Sequence, residues 1–254
     1  MRRALAGSLA ALSLVLAAGA GADVRVIAVD AGHGGVDHGA RSASGLLEKD
    51  VALAVSQALA AELRKRGYEV VLTRPDDGFV DLAKRTDLAN AAGAELFISI
   101  HANFSPAPQA RGPETYFVSL EASDDEARRV ALVENEVFGN AAAVEDEGDV
   151  VGAVLGDLIR TDHLRASSAL AARVQHGLSG LGVPGRGVKQ APFVVLMGAN
   201  MPAALIELGF LSNPDDARRL AQRDQRKRVA RAIADAVSAF AREQAGAPGP
   251  GGAE

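Results

Sequence analysis

The sequence predicts an α/β fold in a single domain, organised around parallel βαβ units. Three features of the chain point there. Apolar runs of strand length recur, the first three being Val24–Val29, Glu69–Thr73 and Glu95–Ile100. Helical stretches lie between them, with apolar residues four apart on one stripe, as at Val51, Val55, Leu59 and Leu63. Gly67 and Gly93 stand where the first two helices should stop. A strand, a helix and a strand of this length form a parallel crossover, and two in a row form an open sheet.

The bulk composition suits that architecture. The chain has 254 residues, 48% of them hydrophobic, enough for one sizeable core or at most two small domains. Neither an internal repeat nor a second domain is visible. There is no cysteine, which excludes disulfides, thiolate metal sites and a cysteine nucleophile. Any metal site must use His, Asp and Glu. A formal net charge of -5 argues against a nucleic-acid partner.

Residues 1–22 read as an export signal. Arg2 and Arg3 precede an apolar stretch from Leu5 to Leu16, and small-residue cleavage sites follow at Ala18-Gly19-Ala20 and Ala20-Gly21-Ala22. Cleavage is favoured over retention as an anchor, because the apolar run falls short of the ~20 residues that a span requires. Without Arg2 and Arg3 the chain carries 25 basic against 32 acidic residues, a net charge of -7. The mature protein is expected to be exported to the periplasm, the extracellular space or the cell wall, and to act as a monomer.

Val24–Val29 is apolar apart from Arg25, as in a strand buried on both faces. The loop after it holds Gly32, Gly34, Gly35 and Gly39, a composition suited to curling around a phosphate or a metal ion. The helix Leu47–Arg66 ends in Arg64, Lys65 and Arg66, at the negative end of its dipole. Asp81–Ala92 is a second helix, and Glu95–Ile100 leads into His101. Pro106, Pro108 and Gly112 mark a loop, and Glu114–Val118 reads as an edge or antiparallel strand. Ser123 reads as an N-cap, with Asp124, Asp125 and Glu126 in the first turn.

Helical periodicity then runs to about Leu181, broken by the acidic residues Glu145, Asp146, Glu147 and Asp149. Leu170, Val174 and Leu178 line a stripe within it. This excursion is longer than a crossover needs. Val194–Met197 and Ala203–Glu207 read as short strands. Asn213-Pro214-Asp215-Asp216 opens a helix, with Pro214 at a favoured first-turn position. A last helix covers Asp224–Glu243, and residues 244–254 form a low-complexity tail expected to be disordered.

Sites in open α/β sheets form outside the carboxyl ends of the strands. Asp30 and His33 follow the first strand, His101 ends the third, and Glu207 ends a later one. Glu48 opens the first helix on the same rim. Two imidazoles and two carboxylates fit a catalytic zinc, with three protein ligands, one position open, and one carboxylate left as general base. Taken singly, His33 can cap a turn, His101 can hydrogen-bond on the rim, and Glu48 can favour the helix N-terminus. Glu207 resists an ordinary explanation, because an unpaired charge at the end of the apolar ALIE run is costly. His38, His163 and His176 read as surface or supporting residues. The phosphate alternative fails because Asp37 stands where a dinucleotide loop needs its third glycine, and no GxxxxGK[ST] is present. Neither HExxH nor GxSxG occurs.

The segments VDAGHGGVDHGA, GLLEKD, VVLTRPDDGFVDLAKRTDLAN, LFISIHANF and VKQAPFVVLMGANMPAALIELGFLSNPDD occur in this order between Val26 and about Leu220. As a set they resemble the zinc-dependent N-acetylmuramoyl-L-alanine amidases of the amidase-3 type. Ala31 and His38 depart from that pattern, standing where the family often has proline. The resemblance implies a mixed, mostly parallel sheet of about six strands with helices on both faces, in a catalytic domain spanning 23–243. It implies one zinc ion held by His33, Glu48 and His101, with Glu207 as catalytic carboxylate. The helical excursion, residues 121–165, resembles the insert of the cell-division members, which covers the zinc until a partner with a LytM-type domain draws it away. The family's Glu-Asn pair then falls on Glu134 and Asn135, making Glu134 an inhibitory fourth ligand; the alternative for Glu134 is a solvated helix acid. The implied substrate is peptidoglycan, in wall remodelling or daughter-cell separation. A zinc peptidase acting on stem peptides and a non-catalytic wall-binding module are the rival readings.

Overall fold

The computed structural model describes residues 24–107, 109–136 and 161–246. The expected leader 1–22, the acidic break at 145–149 and the tail beyond residue 246 lie outside the described residues. In chain order the elements are β1 (Val26–Ala31), α1 (Glu48–Lys65), β2 (Glu69–Leu72), α2 (Leu82–Ala91), β3 (Leu96–Asn103), β4 (Glu114–Val118) and α3 (Asp125–Asn135). They continue with α4 (Thr161–Ser179), β5 (Val188–Ala191), α5 (Val194–Met197), β6 (Ala203–Phe210), α6 (Pro214–Ala221) and α7 (Arg223–Gln244). The six strands form one sheet in the order β2-β1-β3-β6-β4-β5. All neighbours run parallel except β4 and β6.

Helices cover both faces, and side-chain alternation along the strands builds a core on each. Ile27, Val29, Ile98, Ile100, Ala204 and Ile206 pack with α1, α4 and α7. The expected stripe of Leu170, Val174 and Leu178 on α4 is buried in that core. Ala28, Phe97, Ala203, Leu205 and Tyr116 pack with α2, α3 and α5 on the opposite face. On this second face the same two-residue period continues into Asp30, Ser99, His101 and Glu207. Its strands are therefore apolar in their first halves and polar toward their carboxyl ends.

Several expectations are corrected. Val194–Met197 is one turn of helix, not a strand, despite its strand-like composition. Its first amide, on Val194, is taken by the Asn135 side chain at 3.0 Å, a tertiary contact that local propensity cannot reveal. β4 is antiparallel to β6, as one of its two readings had it, but it is interior, because β5, whose Lys189 and Gln190 interrupt the apolar pattern, forms the edge beyond it. Asp124 rather than Ser123 caps α3, accepting from the Ala127 amide at 2.7 Å. β3 and β6 run past His101 and Glu207 to Asn103 and Phe210, so neither residue ends its strand. Asn213 and Pro214 open α6 as expected, with the Asn213 side chain accepting from two first-turn amides.

Candidate metal centre

From β1 the chain crosses to β2, then returns past β1 to β3. The reversal opens a crevice at the carboxyl ends of β1 and β3. His33 follows β1 and His101 lies on β3, which puts one imidazole on each side. β3 also changes register against β6 between His101 and Asn103, an irregularity of the kind that re-aims side chains beside a site.

His33 has φ 59°, the one positive value for a non-glycine residue among those described. Such a conformation persists only where surrounding contacts fix it. Two buried arginines supply them. Arg74 donates to the carbonyls of Ala31, Gly32 and Lys49, each at 2.8 Å. Arg85 donates to the His33 carbonyl at 2.8 Å and to Asp30 Oδ1 at 2.9 Å. Asp30 also accepts from Thr73 at 2.5 Å and Ser99 at 2.7 Å. Asp30 is thus the buried counter-ion of Arg85, beneath the rim rather than on it. Burial pushes its carboxyl up, but Arg85 and the two hydroxyls outweigh that and hold it below the ordinary value of 3.8.

Above this base four buried side chains converge. His33 Nε2 lies 3.0 Å from Glu48 Oε1 and 3.2 Å from Glu134 Oε2. His101 Nδ1 lies 3.1 Å from Glu48 Oε1 and 2.8 Å from Glu134 Oε2. One ligand atom from each of the four sits within 4.8 Å of all the others. The surrounding contacts fix their orientation. His33 Nδ1 is 2.9 Å from Asp37 Oδ2, so its Nε2 faces the cluster. Glu48 accepts the Ala40 amide on Oε2 at 2.8 Å and the Ala102 amide on Oε1 at 2.9 Å. Two glycines leave room for this. A Cβ on Gly32 would come within 2.4 Å of the His101 ring. A Cβ on Gly39, at φ 61°, would come within 2.6 Å of His33 and 2.7 Å of Glu48.

Glu134 reaches the cluster because α3 is fastened at both ends. At its carboxyl end, Asn135 Nδ2 donates to the Pro192 carbonyl at 2.8 Å while Oδ1 accepts from the Val194 amide. At its amino end, Glu126 pairs with Arg186 and with Lys189, and Lys189 also reaches Asp124 at 3.4 Å. Glu134 is 6% exposed, which rules out the solvated-acid alternative.

Glu207 stands next to this cluster in the sheet, in register with His101 on one side and Glu114 on the other. It is fully buried, and neither carboxyl oxygen has a hydrogen-bond partner among the described residues. Glu114, by contrast, is satisfied by Tyr116 and Arg186. Burial first, then the charges of Glu134 and Glu48, push the Glu207 carboxyl well above the ordinary range. Burial lowers both imidazoles, but Glu134 and Glu48 outweigh it and raise His101 to about 10; Glu48 and Glu134, helped by Asp37, likewise raise His33 well above its ordinary value.

The donor set fits a metal ion. Without one, two carboxylates crowd together in a buried space, and His33 Nε2 and Glu134 Oε2 lack hydrogen-bond partners. Two nitrogens and two carboxylate oxygens with no sulfur suit zinc, and imidazole–carboxylate sets also serve other divalent metals. The structure brings together all four residues expected near the metal, His33, Glu48, His101 and Glu134, and places Glu207 at their edge. His38 and His176 are exposed, and His163 is half-buried outside the cluster. The functional parts missed by sequence reasoning are Asp37 and the two-point Asn135 clamp. The four-residue spacing of His33 and Asp37 was an available signal for the first. Asp37→Ala is expected to weaken metal affinity by about 10–100-fold, measured by competition with a chromophoric chelator.

Comparison with known proteins agrees with this geometry. Residues 27–239 match the family model described as N-acetylmuramoyl-L-alanine amidase. The chain is 35% identical over 221 residues to the N-acetylmuramoyl-L-alanine amidase AmiA of Escherichia coli, covering 85% of this chain and 76% of the relative. Its fold is similar to the catalytic domain of CwlV, an N-acetylmuramoyl-L-alanine amidase of Bacillus (Paenibacillus) polymyxa. That likeness has a TM-score of 0.64 at 30% identity and covers 84% of this chain and 96% of the other. The amidase AmiC2 of Nostoc punctiforme is similar at TM-score 0.61 and 29% identity, with 84% and 95% covered.

Proposed function

The chain belongs to the N-acetylmuramoyl-L-alanine amidase family, and from that premise we propose that it hydrolyses the amide between the lactyl group of N-acetylmuramic acid and the L-alanine of the stem peptide in peptidoglycan. The observation that supports this reading is the buried His33–Glu48–His101 set with the unpartnered Glu207 in register beside it. His33, Glu48 and His101 hold one zinc ion. Bound there, zinc supplies Lewis-acid chemistry, polarising the amide carbonyl and making water acidic near pH ~7. Glu207 takes the proton from the attacking water and passes it to the leaving amine. Its burial keeps competing solvent from the carboxylate, and its lack of a partner leaves both oxygens free for that exchange.

In this reading the catalytic domain spans 23–243, with 121–165 as a regulatory insert. The leader 1–22 exports the chain to the periplasm or cell wall. Among the described residues no helix is long and apolar enough to cross a membrane. Glu134 closes the site in a resting state, and a partner with a LytM-type domain withdraws α3. Opening α3 exchanges the Asn135 clamp and the Glu126 ion pairs for water. Glu134→Ala leaves three ligands in place and is expected to raise basal turnover by about tenfold or more, the gain when a minor open state becomes the major one. Dye-labelled peptidoglycan release measures it, and unchanged turnover would remove the autoinhibitory role.

The reading as a whole is tested by digesting purified peptidoglycan with the mature chain and identifying the soluble products by mass spectrometry. Intact stem peptides beginning at L-alanine, lost on chelation and restored by zinc, are expected. Peptides cut internally would point to a stem-peptide peptidase instead, and no release by either the mature chain or its Glu134→Ala form would point to a wall-binding module.

A further inference from the structure

Next in the chain to the residues whose amides hold Glu48 lies a second feature that the hydrolytic chemistry does not use. A cavity of about 450 Å³ is lined by Arg41, Ser42, Ala43, Phe104, Ser105, Pro106 and Ser212. Its two walls grow out of the residues that hold Glu48. One wall begins at Arg41, directly after Ala40, whose amide donates to Glu48 Oε2. The other begins at Phe104, two residues after Ala102, whose amide donates to Glu48 Oε1. The cavity is therefore anchored within a few residues of the candidate ligand on both sides.

The walls are held firmly. Ser42 is buried, and its hydroxyl accepts the Leu46 amide at 2.9 Å. The buried Ser105 donates its amide to Ser212 Oγ at 2.9 Å. Two side chains remain free to meet a ligand. Phe104 is 46% exposed, an unusual placement for an aromatic ring. Arg41 is the one charged group in the lining. Its guanidinium has no hydrogen-bond or ion-pair partner among the described residues.

An unpaired guanidinium is a planar fork suited to a carboxylate. Such a cation has a clear use here. The chain beyond the leader carries a net charge of -7. An acidic peptide approaching so anionic a chain meets repulsion unless a local cation offsets it. We infer that the Arg41–Phe104 cavity is a subsite for the stem peptide, with Arg41 pairing with the free carboxylate of the acidic residue next to L-alanine and Phe104 packing on the adjoining aliphatic chain. This rests on the amidase reading, and it makes the enzyme selective for stems whose carboxylate is free rather than amidated.

Two muramoyl dipeptides test it, one with the acidic residue as free acid and the other as its carboxamide. Each is offered to the mature chain and to its Glu134→Ala form, and KM and kcat are measured separately. The free acid is expected to bind with KM lower by about tenfold, the scale of one charge-assisted pair. Arg41→Gln removes that difference by raising KM for the acid alone, and Arg41→Lys restores part of it. The acid-to-amide ratio does not depend on the fraction of folded enzyme, so a general loss of stability leaves it unmoved. Equal KM for both substrates in the parent chain, or an unchanged ratio in Arg41→Gln, overturns the subsite while the amidase reading stands. Failure of every form to release peptide from either substrate overturns the amidase reading and the subsite with it.

Discussion

Glu207→Gln is expected to lower turnover on peptidoglycan by about a hundred- to ten-thousandfold, the range for removal of a positioned general acid–base. The substitution keeps volume and burial but cannot accept the proton. Glu207 makes no hydrogen bond among the described residues, so its replacement by a neutral amide removes no native contact. It also removes a carboxylate from a buried site that already holds Glu48 and Glu134. Thermal stability is therefore expected to stay level or rise, and zinc content to stay at one per chain. Turnover within a few-fold of the parent would show that another group carries the proton. A parallel loss of zinc would instead make Glu207 part of the metal-holding set.

Asp30→Asn is expected to destabilise the fold by about 3–5 kcal/mol, because it leaves the Arg85 guanidinium buried without its counter-ion. Both partners are almost wholly buried, at 0% and 2% exposure, so solvent screening offers little relief. The folded pKa of Asp30 is depressed below 3.8. Its contribution is thus fully present above the unfolded value and is lost as pH falls through the folded one. Urea unfolding at pH 7 should show the full difference between parent and variant. The difference should shrink in the acid range below 3.8, where the parent carboxyl also takes up its proton. Because Arg85 and Arg74 hold the carbonyls of residues 31–33, the variant should also hold zinc more weakly. A pH-independent difference would mean that the carboxylate charge is not what matters at Asp30.

The candidate metal-site residues were legible in the sequence for a physical reason. A parallel sheet forces chemistry to the carboxyl ends of its strands, and only a few ionisable residues stand near such ends. His33, Glu48, His101 and Glu207 could be placed on one rim on that basis, while the choice of His33, Glu48 and His101 as the ligand set came from the family resemblance. Glu207 was chosen because a carboxylate in an apolar run lacks a local explanation, and its unpartnered oxygens agree. Long-range detail was not legible. Val194–Met197 has strand composition but becomes a turn of helix where Asn135, nearly sixty residues earlier, takes the Val194 amide. β5 was hidden because an edge strand tolerates Lys189 and Gln190. Asp30 read as a rim group because nothing local shows that Arg85 lies against it. Glu134 was named through family resemblance alone, since a helix acid has no periodicity that sets it apart.

Anomalous diffraction at the zinc edge, from crystals of the full mature chain grown with zinc, tests the central claim most directly. The account predicts one strong peak among His33, Glu48, His101 and Glu134, with Glu207 nearby but outside the ligand set. A peak elsewhere, or no peak among these residues, would contradict the metal centre. A peak held by His33, Glu48 and His101 with Glu134 turned to solvent would keep the centre and contradict the closed resting state.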